Sequence, residues 1–179
     1  NAHPHTSDNV SIVHNGIIEN YSLLKKELQK KGYNFKSQTD SEVIAHLLSD
    51  ELKKHNAEVA IKMTLSKLEG AFAIAIIFKD LRLLAGARKG SPLAVGVSDD
   101  ATFIGSDSVA LAPFTKKIIF LEEGDSVFIQ EKELKIYNEK FNEVKRPITY
   151  SSYTKDNLGK GNFDHFMQKE IFEQPHVIG

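Results

Sequence analysis

His14-Asn15-Gly16, at the end of a short apolar run through Ile12-Val13, carries the most chemical potential in the sequence. An Asn side-chain amide beside a glycine whose backbone N–H can be closely approached offers two hydrogen-bond donors at a strand end. That is what a tetrahedral oxyanion requires. Asn-Gly is also a strong turn signal, because both residues tolerate positive φ, and a type I′ hairpin bend accounts for the pair as well. Spacing alone does not choose. Asp40 also has two readings, which are compatible. It lies at a helix start, where the dipole favours a carboxylate, and it could equally receive a substrate ammonium while Thr39 caps the helix.

Other chemistry-bearing groups are weaker candidates. His3-Pro4-His5 with His14 suggests zinc, but such a site needs three or four ligands at fixed geometry, and His-Pro-His is not a metal spacing; a polar loop with hydrogen-bonded imidazoles is the reading adopted, with no metal and no cofactor. Arg88-Lys89-Gly90-Ser91-Pro92 is not a G-x-x-x-x-G-K-[ST] phosphate loop, and a strand follows it, so it is read as a β-turn. Ser106-Asp107 is read as the N-cap of a short helix. No G-x-S-x-G elbow occurs, and the chain has no cysteine.

The elements that must hold these residues follow from periodicity. Ser11 to Ile18 reads as a strand bending at Asn15-Gly16. Tyr21, Leu24 and Leu28 recur at helical spacing, with Glu19-Asn20 at the start and Gly32 as the stop. Thr39-Asp40-Ser41-Glu42 has the form of a capping box opening a second helix at Asp40 through Leu52. Val59 to Leu68 suggests a third helix, ended by Gly70. From Ala71 onward the period changes. Ala71–Phe78 reads as a strand buried on both faces, and Leu81–Ala87, Leu93–Val97, Thr102–Gly105, Lys117–Leu121, Ser126–Gln130 and Leu134–Tyr137 are short runs between turn residues. Helices packed on antiparallel sheets make an α+β layered domain. Arg146 to Gly161 reads as an exposed connection, and Phe163 to Glu173 returns to an amphipathic pattern before Pro175.

The 179 residues suffice for one domain, and 23 Lys+Arg against 24 Asp+Glu is the balance of an ordinary soluble protein. Basic residues are interleaved with acids rather than clustered, which argues against nucleic acid. No apolar run approaches the ~20 residues needed to cross a bilayer, and no leader pattern opens the chain. The expectation is a cytosolic protein, read as a piece of a longer one.

In order and spacing, four segments together resemble the class II glutamine amidotransferases: Val13 to Asn20, Thr39 to Ile44, Leu68 to Phe72 and Ser106 to Leu111. The likeness covers nearly the whole chain. It implies a layered αββα N-terminal-nucleophile hydrolase fold with its N-terminal strands missing, occupying residues 1–161. Residues 162–179 would then begin a linker to an absent sugar-isomerase domain. Ala87 to Leu93, Phe120 to Asp125 and Phe166 to Pro175 are similar to the branch of the family that aminates fructose 6-phosphate. By resemblance, Asn15 and Gly16 form the oxyanion hole and Asp40 binds the α-ammonium of glutamine. The family's nucleophile is an N-terminal Cys whose own amine is the base, and an R-W-A-T-H-G segment grips the substrate carboxylate. Both would precede Asn1, so the chain as given is expected to be inactive, and the longer protein is expected to be a homo-oligomer. The rivals are another class II glutaminase or a non-catalytic module of the same fold, separable by whether a Cys follows the initiator Met in the gene.

Overall fold

A computed structural model describes residues 2–131, 133–151 and 163–177. Its elements in chain order are β1 (His5–Ser7), β2 (Val10–Ile18), α1 (Tyr21–Lys30), α2 (Ser41–Leu52), α3 (Ala57–Leu65), β3 (Gly70–Phe78), β4 (Leu83–Lys89), β5 (Ala94–Val97), β6 (Thr102–Gly105), α4 (Ser108–Leu111), β7 (Lys117–Phe120), β8 (Ser126–Gln130), β9 (Glu133–Tyr137), β10 (Glu143–Val144), β11 (Ile148–Tyr150) and α5 (Phe166–Val177). The strands form two antiparallel sheets, one of order β1-β2-β3-β4-β8-β9-β10 and one of order β11-β7-β5-β6.

Two cores separate the layers. On one face of the large sheet, Val10, Ile12, Ile18, Phe72, Ile74 and Ile76 bury against Leu24 and Leu28 of α1, Val43, Ile44, Leu47 and Leu48 of α2, and Ala60 and Ile61 of α3. On the other face, Ala73, Val127, Ile129 and Ile136 meet Leu93, Val95, Ile119 and Leu121 around the small sheet. Leu111 of α4 then packs with Ala94 and Ile118 on the outside of the small sheet. The sequence is therefore helix, sheet, sheet, helix, each layer burying one apolar face against the next.

Strand β3 shows why its sequence is continuously apolar. Phe72, Ala73 and Ile74 are all buried because both faces are covered there. Farther along the strand a groove opens between the two sheets. Val13 and Ile77 are 45% and 59% exposed, and they line a groove of about 680 Å³ with Phe103, Ile104 and Phe114. The expectation that Ala71–Phe78 is buried on both faces thus holds only at Phe72–Ile74, since Ala71 and Ile77 are exposed.

The segment after Arg146 is exposed from Pro147 to Tyr150, as read in the sequence, but it is anchored to the fold rather than a free connection. Arg146 donates from Nε to Asp125 Oδ2 at 2.8 Å and from Nη2 to Oδ1 at 2.9 Å, and Asp125 is 0% exposed. Ile148–Tyr150 then pairs with β7. Residues 152–161, the rest of that reading, lie outside the described residues. Because Arg146 is the buried carboxylate's charged partner, Arg146→Ala should lower unfolding free energy by about 3–5 kcal/mol. Urea denaturation checks this, and Arg146→Lys should recover only part, lacking the fork that binds both oxygens.

Helix α5 runs beyond Pro175 to Val177. It exposes Met167, Ile171 and Phe172 by 67%, 56% and 60%. Among the described residues no helix is long and apolar enough to cross a membrane.

Candidate active site

Asn15 and Gly16 do not form a turn. They sit inside β2, whose pairing with β3 runs unbroken from Val10↔Phe78 to Ile18↔Gly70, placing Asn15 opposite Ala73 and Gly16 opposite Phe72. The hairpin reading is corrected by that ladder: a chain making nine consecutive cross-strand pairs has no bend at its sixth and seventh residues. Gly16 nonetheless uses its freedom, with φ +138. A Cβ there would lie 2.1 Å from the Ala71 carbonyl oxygen and 2.8 Å from Phe72 Cα.

The other edge of β2 is only half covered. Strand β1 pairs with Val10–Ile12 alone, so among the described residues His14–Ile18 have no strand beyond them. Hydrogen-bonding direction alternates along a strand. Glu19 N donates to Glu69 O on the β3 side at 2.9 Å, while Ile18 N donates outward to Asp40 Oδ2 at 2.7 Å. The same alternation directs Gly16 N–H outward, onto the edge where Asp40 sits. Asn15 is exposed and shares the face of Ser11 and Val13, which line the groove between the sheets. Gly16 N–H and the Asp40 carboxylate therefore lie along one rim, with Gly16 two residues along β2 from the amide that Asp40 binds, or about 7 Å at ~3.3 Å per residue, and Asn15 stands beside them.

The helix start that delivers Asp40 is built differently from a capping box. Asp40 occupies the N-cap position of α2 without a side-chain cap bond; its carboxylate is spent on Ile18 N, and Ser41 Oγ lies 3.5 Å from its Oδ1. Glu42 does not reach back to Thr39. Its Oε1 accepts from Lys36 N at 2.8 Å, and its Oε2 accepts from Ser37 N at 2.7 Å and Ser37 Oγ at 2.6 Å. Burial pushes the Glu42 carboxyl up, but the Lys36 amide, the Ser37 hydroxyl and the Ser37 amide together hold it down at about 2. Thr39 Oγ1 instead lies 3.0 Å from Ser37 Oγ and 3.2 Å from His5 Nε2.

The histidines enter separate hydrogen bonds. His14, buried under α2, has Nδ1 2.9 Å from Ser41 Oγ, and burial lowers its pKa despite the opposing pull of Asp40. His3 packs edge-on against His5 at 5.2 Å. Among the described residues no group of three or more His, Cys, Asp or Glu is placed to hold a metal ion.

The remaining candidates are structural. Asp107 Oδ1 accepts from Ala110 N at 2.8 Å, the cap read from sequence. Arg88 donates to Leu121 O at 2.9 Å and to Glu123 Oε2 at 3.2 Å, and Gly90 N donates to Glu123 Oε1 at 2.8 Å, so the Arg-Lys-Gly-Ser-Pro segment is tied to the loop between β7 and β8. Sequence reasoning missed Glu42 as a loop holder, since T-x-x-E carries a capping-box signal that masks it. It also missed the role of Asn20, which makes no cap bond and joins the end of α3 to β3 through Lys67 O and Glu69 N.

A glutamine amidotransferase domain model matches residues 2–113, a span that includes Asn15, Gly16 and Asp40. Curated relatives agree. The chain is 48% identical over 180 residues to the glutamine–fructose-6-phosphate aminotransferase [isomerizing] of Zymomonas mobilis, with 99% of this chain and 30% of that protein covered. It is 52% identical to the enzyme of the same name from Mesorhizobium japonicum, with the same coverage. The chain thus spans about 30% of the length of these relatives. Among solved structures, the glutamine phosphoribosylpyrophosphate amidotransferase of B. subtilis superposes with a TM-score of 0.67 at 28% identity, covering 80% of this chain and 33% of that one. A class-II glutamine aminotransferase domain protein from Silicibacter pomeroyi has a TM-score of 0.56 at 18% identity, covering 76% of this chain and 69% of that one, a likeness of fold alone. The two-sheet layering is that of the N-terminal-nucleophile hydrolase amidotransferases. With the model matching well over half of its residues and relatives near half identical along its length, this chain belongs to the glutamine amidotransferase family.

Proposed function

We propose that these residues are the glutaminase part of an enzyme that hydrolyses glutamine and passes the ammonia to fructose 6-phosphate, forming glucosamine 6-phosphate. What supports this reading is the rim of β2, where Asp40 accepts from Ile18 N and strand alternation turns Gly16 N–H toward the same edge, which no strand covers beyond Ile12 among the described residues. Glutamine's four-bond path from α-nitrogen to carboxamide carbon extends to about 5 Å with bonds of ~1.5 Å. With a hydrogen bond of ~2.9 Å at each end the extended chain would span more than about 10 Å, so a substrate of this size reaches both ends of a rim about 7 Å long by bending.

In this reading a thiolate adds to the carboxamide carbon, and the electron pair of the C=O bond moves onto oxygen. The Asn15 amide and Gly16 N–H receive that charge. On collapse the leaving nitrogen takes the proton that the thiol gave to its base, so ammonia departs and a thioester remains, which water hydrolyses to glutamate with return of the thiol. The thiol must come from outside these 179 residues, which contain no cysteine. The uncovered inner face at Val13 and Ile77 gives room for strands carrying it. Residues 1–161 would form this domain, and 162–179 would lead to the following isomerase domain. The exposed Met167, Ile171 and Phe172 of α5 suit a contact with that domain. The longer protein is read as a cytoplasmic homo-oligomer needing no cofactor.

The test is Asp40→Asn in the full-length protein. Glutamine capture should weaken by about 1.5–3 kcal/mol, the range for a hydrogen bond to a charged group, with kcat little changed. A large drop in melting temperature with unaltered glutamine KM would leave Asp40 as a helix-start residue only.

A further inference from the structure

We infer that Glu42 is a positioning residue for the substrate site: its carboxylate folds the Lys36–Asp40 loop into the one shape that carries Asp40 to the edge of β2. The inference rests on the reading of Asp40 as the ammonium-binding group and adds the device that places it.

Loop and helix form a closed circuit. Both Glu42 oxygens are occupied by donors five and six residues upstream, Lys36 N and Ser37 N, with the Ser37 hydroxyl added at 2.6 Å. Ser37 Oγ in turn meets Thr39 Oγ1 at 3.0 Å and accepts from Thr39 N at 3.3 Å. Thr39, next to Asp40, is held from the far side by His5 Nε2 of β1 at 3.2 Å. Nothing else in the loop explains why a carboxylate should be 5% exposed at a helix start, where the dipole would favour an acid equally well in solvent. His46 Nε2, 3.4 Å from Glu42 Oε1, is the remaining neighbour. Glu42 reaches neither Ile18 nor Asp40, so its effect on a ligand must pass through the loop. Charge-assisted bonds to three donors are about twice as strong as neutral ones. A neutral Gln, with a single acceptor oxygen, cannot satisfy both backbone amides through two oxygens.

The experiment compares Glu42→Gln, Asp40→Asn and the double variant in the full-length protein. Two substrates are used, glutamine and its deaminated analogue 4-carbamoylbutanoate, which keeps the carboxamide and lacks the ammonium. Glu42→Gln should raise KM for glutamine by about 5- to 20-fold, the order of mispositioning one charge-assisted bond without deleting it. Its kcat, and its kcat/KM for the analogue, should stay near those of the parent protein. In the Asp40→Asn background Glu42→Gln should add nothing further. Ser37→Ala, which removes only the hydroxyl donor, should shift glutamine KM in the same direction by less, and serves if Glu42→Gln fails to fold. If Asp40→Asn removes the preference for glutamine over the analogue but Glu42→Gln and Ser37→Ala leave it intact, or if their penalties add in full to Asp40→Asn, the positioning role is wrong while the Asp40 reading stands. If Asp40→Asn itself leaves that preference unchanged, both fall.

Discussion

On the proposed reading, Asn15→Ala in the full-length protein is expected to lower kcat for glutamine hydrolysis by about 10²–10³-fold, the magnitude of losing one oxyanion-hole donor, while KM moves little. The reason is that the amide meets full charge only when the thiolate has added. In the ground state it faces a neutral carboxamide that water solvates nearly as well. The fold should be indifferent, because Asn15 is exposed and its backbone pairing with Ala73 is kept by any residue. Fructose 6-phosphate binding should also be unchanged, which separates a local defect from misfolding. Asn15→Gly is the sharper variant. A residue that merely shaped a bend would tolerate glycine, whereas an amide donor is lost as completely as with alanine. Steady-state kinetics of the two variants should therefore give matching losses, and a fully active Asn15→Gly enzyme would remove Asn15 from the site.

Gly16→Ala should be more damaging to the protein than to any single step. Its φ of +138 is open to few L-residues, and the added Cβ would press to 2.1 Å from Ala71 O and 2.8 Å from Phe72 Cα. Both obstacles are backbone atoms of β3, so no side chain can rotate away. Relief requires β2 and β3 to separate where they hold the site. Expected destabilisation exceeds about 4 kcal/mol, the range reached only by specific structural insults, and shows as loss of soluble protein or a collapsed denaturation midpoint. Gly32→Ala is the control. It also has positive φ, +91, but its Cβ would meet nothing within 4 Å. Conformational strain alone, about 1–2 kcal/mol, is then the whole cost. Equal losses at the two positions would mean that the β2–β3 approach at Gly16 is looser than described.

Long periodic elements were legible in the sequence, and features decided by tertiary contact were not. Helix α1 follows the apolar spacing, burying Leu24 and Leu28 as one stripe, and β6 and β8 have the bounds read from the sequence, although β6 is half-buried throughout and β8 is buried on both faces from Ser126 to Ile129. Asn15-Gly16 reads locally as a bend, yet pairing with β3 overrides that preference, because a ladder from Val10 to Ile18 outweighs the turn propensity of two residues. Thr39 to Glu42 has the letters of a capping box, but Glu42 finds better donors in Lys36 and Ser37, residues brought near only when the loop closes. Strand β1 and strand β11 are three residues each, too short to show a period. Arg146 looks like any polar loop residue until Asp125 is seen buried beneath it. Of the candidate site, resemblance proposes the residue types. Their meeting on one strand edge was not, because nothing in the spacing of residues 15 and 40 states that Asp40 will bond Ile18 N.

A crystal structure of the full-length protein with glutamate, the product of the proposed hydrolysis, tests the central claim most directly. The account predicts the α-ammonium within hydrogen-bond distance of the Asp40 carboxylate, and one γ-carboxyl oxygen accepting from both the Asn15 amide and Gly16 N–H. Glutamate bound with its ammonium on another group, or with its γ-carboxyl away from both donors, would contradict it.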